Sequence, residues 1–165
     1  MDTATTTTTT DDALYERDLH AWCQAQAALL RDRARPGAND GLDYVNLAEE
    51  IESLGRSEKN AVRSHMVILL LHLLKWRYQP SHRSDSWEDS IFNARKEIAY
   101  AFEDSPSLRG LIAEAVDRAF PMAVRKAATQ TRLPRTTFPA SCPFTEEQIL
   151  DAEFLPSDLD GPAAK

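Results

Sequence analysis

Glycine is scarce, at five residues in 165, and no Walker sequence, glycine-rich phosphate loop or GxSxG nucleophile elbow is present. Cysteine is scarcer. Cys23 and Cys142 lie far apart without a CxxC spacing, which excludes a disulfide framework and a zinc knuckle and leaves two free thiols as the expectation. Positive charge is in deficit, with 19 Lys and Arg against 26 Asp and Glu and a formal charge of -7. Because phosphate neutralisation by Lys and Arg supplies most nucleic-acid affinity, that balance argues against a dedicated nucleic-acid binder and leaves room only for a local basic patch. Long hydrophobic runs are also missing. The longest, Met66 to Leu74, is interrupted by His72 and falls well short of the roughly 20 residues of a membrane-spanning helix. Met1-Asp2-Thr3-Ala4 and the run Thr5 to Thr10 have no basic region, apolar core or cleavage site of a signal peptide. A disordered threonine-rich tail over residues 1–11 and a cytoplasmic location are therefore expected.

What is present is helical periodicity. With 42% hydrophobic residues and 13 aromatics, the chain holds enough apolar surface for a real core. Leu14, Leu19, Trp22, Cys23, Ala27 and Leu30 predict a first helix from Asp12 to about Arg33, capped by Asp11 or Asp12 and closed by Pro36-Gly37. Tyr44, Leu47, Ala48, Ile51 and Leu54 predict a short acidic second helix with Gly55 as its C-terminal cap. Ser57 then caps a third helix, apolar nearly all round from Met66 to Leu74 and so central. A capping box at Ser86-Trp87-Glu88-Asp89 starts a fourth helix, with Trp87, Ile91, Ile98 and Phe102 inward. Ser105-Pro106 starts a fifth, which Pro121 should kink or split, its second half running from Met122 to Arg132. From Leu133 the composition turns proline-rich around one more capping box, Thr145-Glu146-Glu147-Gln148. The expected organisation is all-α: a compact single-domain bundle of about five main helices over 12–133, with a proline-rich strap over 134–165 that carries a short helix packed on the bundle and ends in a frayed C-terminus.

Charge is segregated along this pattern. Asp40, Asp43, Glu49, Glu50 and Glu52 occur with no Lys or Arg between Pro36 and Gly55, whereas Lys75, Arg77 and Arg83 precede any acid after the third helix. Helical angles spread the acids round the second helix, so they form no single convergent carboxylate cluster. Arg95 falls inside the apolar stripe of the fourth helix, and a buried guanidinium needs a partner. Glu50, at the flank of a buried face, is the candidate, with a structural ion pair or an outward-snorkelling stem as the plainer readings. His65 and His72 are about two turns apart on one helix, too far to chelate one ion together. Neither HExxH nor ExxH is present, although one histidine could join Glu49 or Glu50 in an interhelical site. Lys75, Trp76, Arg77, Tyr78, His82, Arg83 and Trp87 interleave cations and aromatics at the exit of the third helix. This pattern suits an anionic partner or, as the better-supported reading, cations at the negative end of a helix with tryptophans closing the core.

Three stretches carry a family resemblance: Tyr15-Glu16-Arg17-Asp18 with Trp22, Asn46-Leu47-Ala48-Glu49-Glu50-Ile51-Glu52-Ser53-Leu54-Gly55, and Leu70-Leu71-His72-Leu73-Leu74-Lys75-Trp76. It continues through Gln79-Pro80, Arg83-Ser84, Ser86-Trp87, Arg95, Ser105-Pro106-Ser107-Leu108 and Cys142-Pro143-Phe144 with Gln148-Ile149-Leu150. The chain so resembles the bacterial domain of unknown function family 29, from about Leu14 to Pro156. The resemblance implies a compact helical protein, brings no activity with it, and marks Glu49, Glu50, His72, Lys75, Arg83, Trp87 and Arg95 as matched positions.

The expected function is a non-enzymatic protein-interaction or regulatory module, antitoxin-like in kind, binding another protein or itself. No cofactor, nucleic acid or membrane is expected. The competing expectation is a metal-assisted hydrolase or nuclease between the second, third and fourth helices. There Glu50 and Glu49 would be ligands or the general base, His72 a ligand or proton shuttle, and Lys75, Arg83 and Arg95 anion binders, with Trp76 and Trp87 as aromatic contacts.

Overall fold

Asp18 divides the first expected helix in two. Its backbone is extended (φ −160°) and its carboxylate accepts the Ala21 amide at 2.8 Å, so α1 (Thr8–Arg17) ends before it and α2 (Leu19–Arg33) starts after it. The computed structural model describes residues 8–34 and 41–157. Helical backbone begins inside the threonine run, and residues 1–7 of the expected tail, most of the loop after α2 and the last residues of the strap lie outside the described residues.

Beyond Asp43 the expected second and third helices are one, α3 (Tyr44–Tyr78). The correction is physical. Gly55 does not turn the chain into the left-handed conformation of a helix cap; it stays helical because a neighbour needs its missing side chain, and a Cβ there would lie 3.0 Å from the Cys23 Cβ. The helix tolerates Gly at about 1 kcal/mol relative to Ala. Ser57, expected as a cap, is an exposed mid-helix residue. The fourth helix, α4 (Asp85–Asp104), starts one position before the expected cap Ser86, and the Trp87 and Glu88 amides bond to the Ser84 carbonyl. Ser105-Pro106 opens a 3₁₀ segment (Pro106–Leu111) before α5 (Ile112–Thr131). Pro121 does not split α5. Its exposed position lets water reach the carbonyl one turn back, and α5 continues to a left-handed cap at Arg132 (φ 59°). In the strap, a 3₁₀ turn (Arg135–Thr137) precedes α6 (Glu146–Leu150), where the capping box forms as expected between Thr145 and Gln148.

The six α-helices among the described residues, without strands, make the protein all-α. Their contacts divide the chain into two compact units: residues up to 61 with 100–110, and residues 62–99 with those from 111 onward. In the first unit, Cys23 and Ala27 of α2, Tyr44 and Ala48 of α3, Phe102 of α4 and Leu108 are buried. The core of the second unit is richer in large side chains. Met66, Leu69, Leu70, Leu73 and Leu74 of α3, Ile98 of α4 and Ile149 of α6 are fully buried, each such side chain contributing about 1.5–3 kcal/mol of transfer free energy.

Candidate functional site

The residues singled out by chemistry fall into separate clusters. At the C-terminal end of α3, Lys75 is buried, donates to Gln130 Oε1 of α5 at 2.9 Å and lies 4.3 Å over the Trp87 ring. No carboxylate pairs with it among the described residues, and burial pushes its ammonium below the ordinary lysine value. Arg83 donates Nε to the Trp76 carbonyl at 3.0 Å and lies 5.2 Å over the Trp76 ring, a cation on the negative end of a helix as the composition suggests. Gln79 donates to the Thr131 carbonyl at 3.0 Å, Tyr78 meets Phe138 edge to face at 5.1 Å, and Arg77 reaches the Phe144 ring. His82 is exposed, and its ring nitrogen Nδ1 lies 3.1 Å from Ser81 Oγ. The cations and aromatics here mostly satisfy one another and close the core.

His72 sits one turn before Lys75. A carbonyl only accepts, so the 2.9 Å contact of Nδ1 with the Ile68 carbonyl places the proton on Nδ1. Burial, and then the Lys75 charge, hold the imidazole below the ordinary histidine range against the pull of that carbonyl. Lys75→Met is therefore expected to raise the His72 titration midpoint and to change stability by less than about 1 kcal/mol, since removing a buried cation offsets the lost contacts. Histidine NMR titration with urea unfolding checks both, and an unmoved midpoint would contradict the coupling.

Arg95 is buried, as its place in the stripe requires, but its partner is not Glu50. Its guanidinium donates to four main-chain carbonyls of the strap: Nε to Ile149 at 2.8 Å, Nη1 to Ala152 at 3.2 Å, and Nη2 to Gln148 at 3.2 Å and Phe154 at 2.8 Å. These include carbonyls at the unsatisfied, negative end of the five-residue α6. Burial works against the charge, and the Asp151 and Glu153 carboxylates work for it. Glu49 and Glu50 are exposed on α3. Because α3 is continuous, Glu50 and His72 stand about six turns apart along the same helix. Among the described residues no three His, Cys, Asp or Glu side chains come together in a way that could hold a metal ion.

Two arrangements were not anticipated. In the first unit, Asp18 accepts from Ala21 N–H and, across 89 residues, from Ser107 N–H at 2.6 Å and Ser107 Oγ at 2.8 Å. Beside it the His20 amide donates to buried Ser105 Oγ at 3.1 Å, and His20 Nδ1 donates to the Gly55 carbonyl at 2.9 Å. Burial raises the Asp18 carboxyl, but the donors from Ala21 and Ser107 outweigh it and hold it below the ordinary carboxylate value. The signal was present, since Asp18 and Ser105-Pro106-Ser107 both lie in stretches that carry the family resemblance.

The second arrangement is a groove of about 360 Å³ between α5 and the strap, lined by Phe120, Pro121, Val124, Phe138 and Pro139 together with Arg135. From Arg118 to Thr145 the sequence holds five cations and no acid. Arg118 pairs with Glu114 at 2.9 Å. Arg125, Lys126, Arg132 and Arg135 are exposed and form no ion pair among the described residues. The uninterrupted cation run was the signal that could have pointed here.

An all-helical protein with no convergent catalytic set among its described residues, and with its buried Arg95 spent on main-chain carbonyls, defines a class by fold alone. Residues 14–155 match the family model described as domain of unknown function DUF29, and the chain belongs to that family. It is also similar to the crystal structure of an alpha-helical protein of unknown function from Rhodospirillum rubrum, with 27% identity, a TM-score of 0.64, and coverage of 85% of this chain and 90% of that one. No curated protein matches. Among the described residues no helix is long and apolar enough to cross a membrane.

Proposed function

We propose that the protein is a non-enzymatic interaction module whose partner docks on the groove between α5 and the strap. A small regulatory partner, of the kind antitoxins represent, is one form such a module takes. The observation that carries the reading is an apolar groove whose lining includes Arg135, a cation with no ion pair among the described residues, while Arg125 follows the lining residue Val124 on α5 with no ion pair among them either, in a chain of net charge -7. In a chain with that excess of acid, surface cations ordinarily find carboxylates of their own. Cations without an ion pair among the described residues, set beside apolar lining, favour a partner that is acidic and carries apolar anchors, with charge setting approach and specificity and the apolar contact setting residence.

The test is a titration of isotopically labelled protein with a helical peptide carrying Leu and Glu at i, i+3 and i+4 spacing, with its Lys-for-Glu counterpart as control. The expected result is saturable NMR shifts at Val124, Arg125, Arg135 and Phe138 with the acidic peptide only, weakened by salt and lost in Arg125→Glu/Arg135→Glu. Absence of shifts, or equal shifts with both peptides, would overturn the reading.

A further inference from the structure

The first unit carries a surface with the opposite chemistry. Leu42, Val45, Leu47 and Leu54 are exposed, Leu54 by 45%, although large aliphatic side chains gain by leaving water. At 100° per residue, Leu47, Glu50 and Leu54 fall within about 60° of one another on α3, an exposed stripe with an acid between two leucines. Asp43, Glu49 and Glu52 lie in the same segment, which contains no Lys or Arg. Glu52 is engaged by Arg31 and Arg56, whereas Glu50 forms no ion pair among the described residues. An acidic helical stripe with leucine anchors is the ligand chemistry that the groove on α5 calls for.

Resting on the interaction reading above, we infer that the groove of one molecule takes the Leu47–Glu50–Leu54 stripe of a second copy of this chain, the leucines entering beside Val124 and Phe138 and the carboxylates meeting Arg125 and Arg135. The two surfaces are different patches of the protein, so the contact is heterologous: each molecule offers one groove and one stripe, and association extends head to tail or closes into a ring. Both surfaces are solvent-exposed at the positions to be changed, so the variants below leave the two cores untouched.

Sedimentation equilibrium on the full chain tests this. The wild type is expected to gain mass with concentration and to lose that gain in 0.5 M salt. Arg125→Glu/Arg135→Glu removes the groove, Glu50→Lys/Leu54→Lys removes the stripe, and each variant alone is expected to be monomeric. Mixed together, the two retain one intact groove and one intact stripe between them, and a 1:1 complex of twice the monomer mass is expected. A wild type that stays monomeric at every concentration, a groove variant that associates as strongly as wild type, or a mixture that forms no complex would each overturn the inference. If the acidic model peptide still shifts Val124 and Phe138 in that case, the groove keeps its role and only the second copy is ruled out as its occupant.

Discussion

Arg95→Ala is expected to destabilise the protein by about 3–5 kcal/mol. Hydrogen bonds from a charged donor contribute roughly 1.5–3 kcal/mol each, and four carbonyls lose their donor at once, with partial relief from water where the strap is exposed. Arg95→Lys is expected to recover only part of this, because one ammonium cannot span acceptors at Gln148, Ile149, Ala152 and Phe154. Urea unfolding followed by tryptophan fluorescence measures the loss, and hydrogen exchange should rise first across residues 144–156. Glu50→Ala, in contrast, is expected to stay within about 0.5 kcal/mol of wild type, as an exposed residue with no ion pair among the described residues should. A loss below about 1 kcal/mol for Arg95→Ala would mean that the strap is held by its aromatic contacts alone.

Asp18→Ala is expected to cost about 2–4 kcal/mol, because one carboxylate both caps α2, at about 0.5–2 kcal/mol, and receives two donors from Ser107. The pH dependence follows from the direction of its shift. The folded state holds the carboxyl below its ordinary value, so the unfolded state binds the proton more readily. The stability from Asp18 is therefore present above the unfolded value and is lost as pH falls through the folded one. Melting temperature measured from pH 7 down to 3 should fall for wild type and fall less steeply for Asp18→Asn, which keeps a partial cap without the titration. Parallel curves would contradict the role given to the charge.

The parts of the fold that were legible from sequence are those fixed within a few residues. Thr145 and Gln148 close their capping box, and the leucines from Leu69 to Leu74 are buried as an all-round apolar helix must be. Gly55 misled because a helical glycine and a capping glycine look alike in sequence; only Cys23, 32 positions earlier, decides between them. Arg95 was legible as buried and illegible as to partner, since a buried guanidinium suggests a carboxylate whereas its acceptors are main-chain carbonyls that no residue type announces. The basic and aromatic cluster at the end of α3 was legible as a set, and the geometry assigns most of it to closing the core. The groove was not legible. It depends on how the turn at Arg135–Thr137 lays Phe138 and Pro139 against α5, and a cation run in sequence carries no sign of that apolar neighbour.

Hydrogen exchange on the wild-type protein, with and without the acidic Leu/Glu peptide, tests most directly whether function resides on the groove rather than in the charged interior. The expected result is new protection confined to residues 118–126 and 133–141, with residues 72–87 and 92–98 unchanged. Protection at Lys75, Trp87 or Arg95 with none on α5 and the turn that follows it would contradict that assignment.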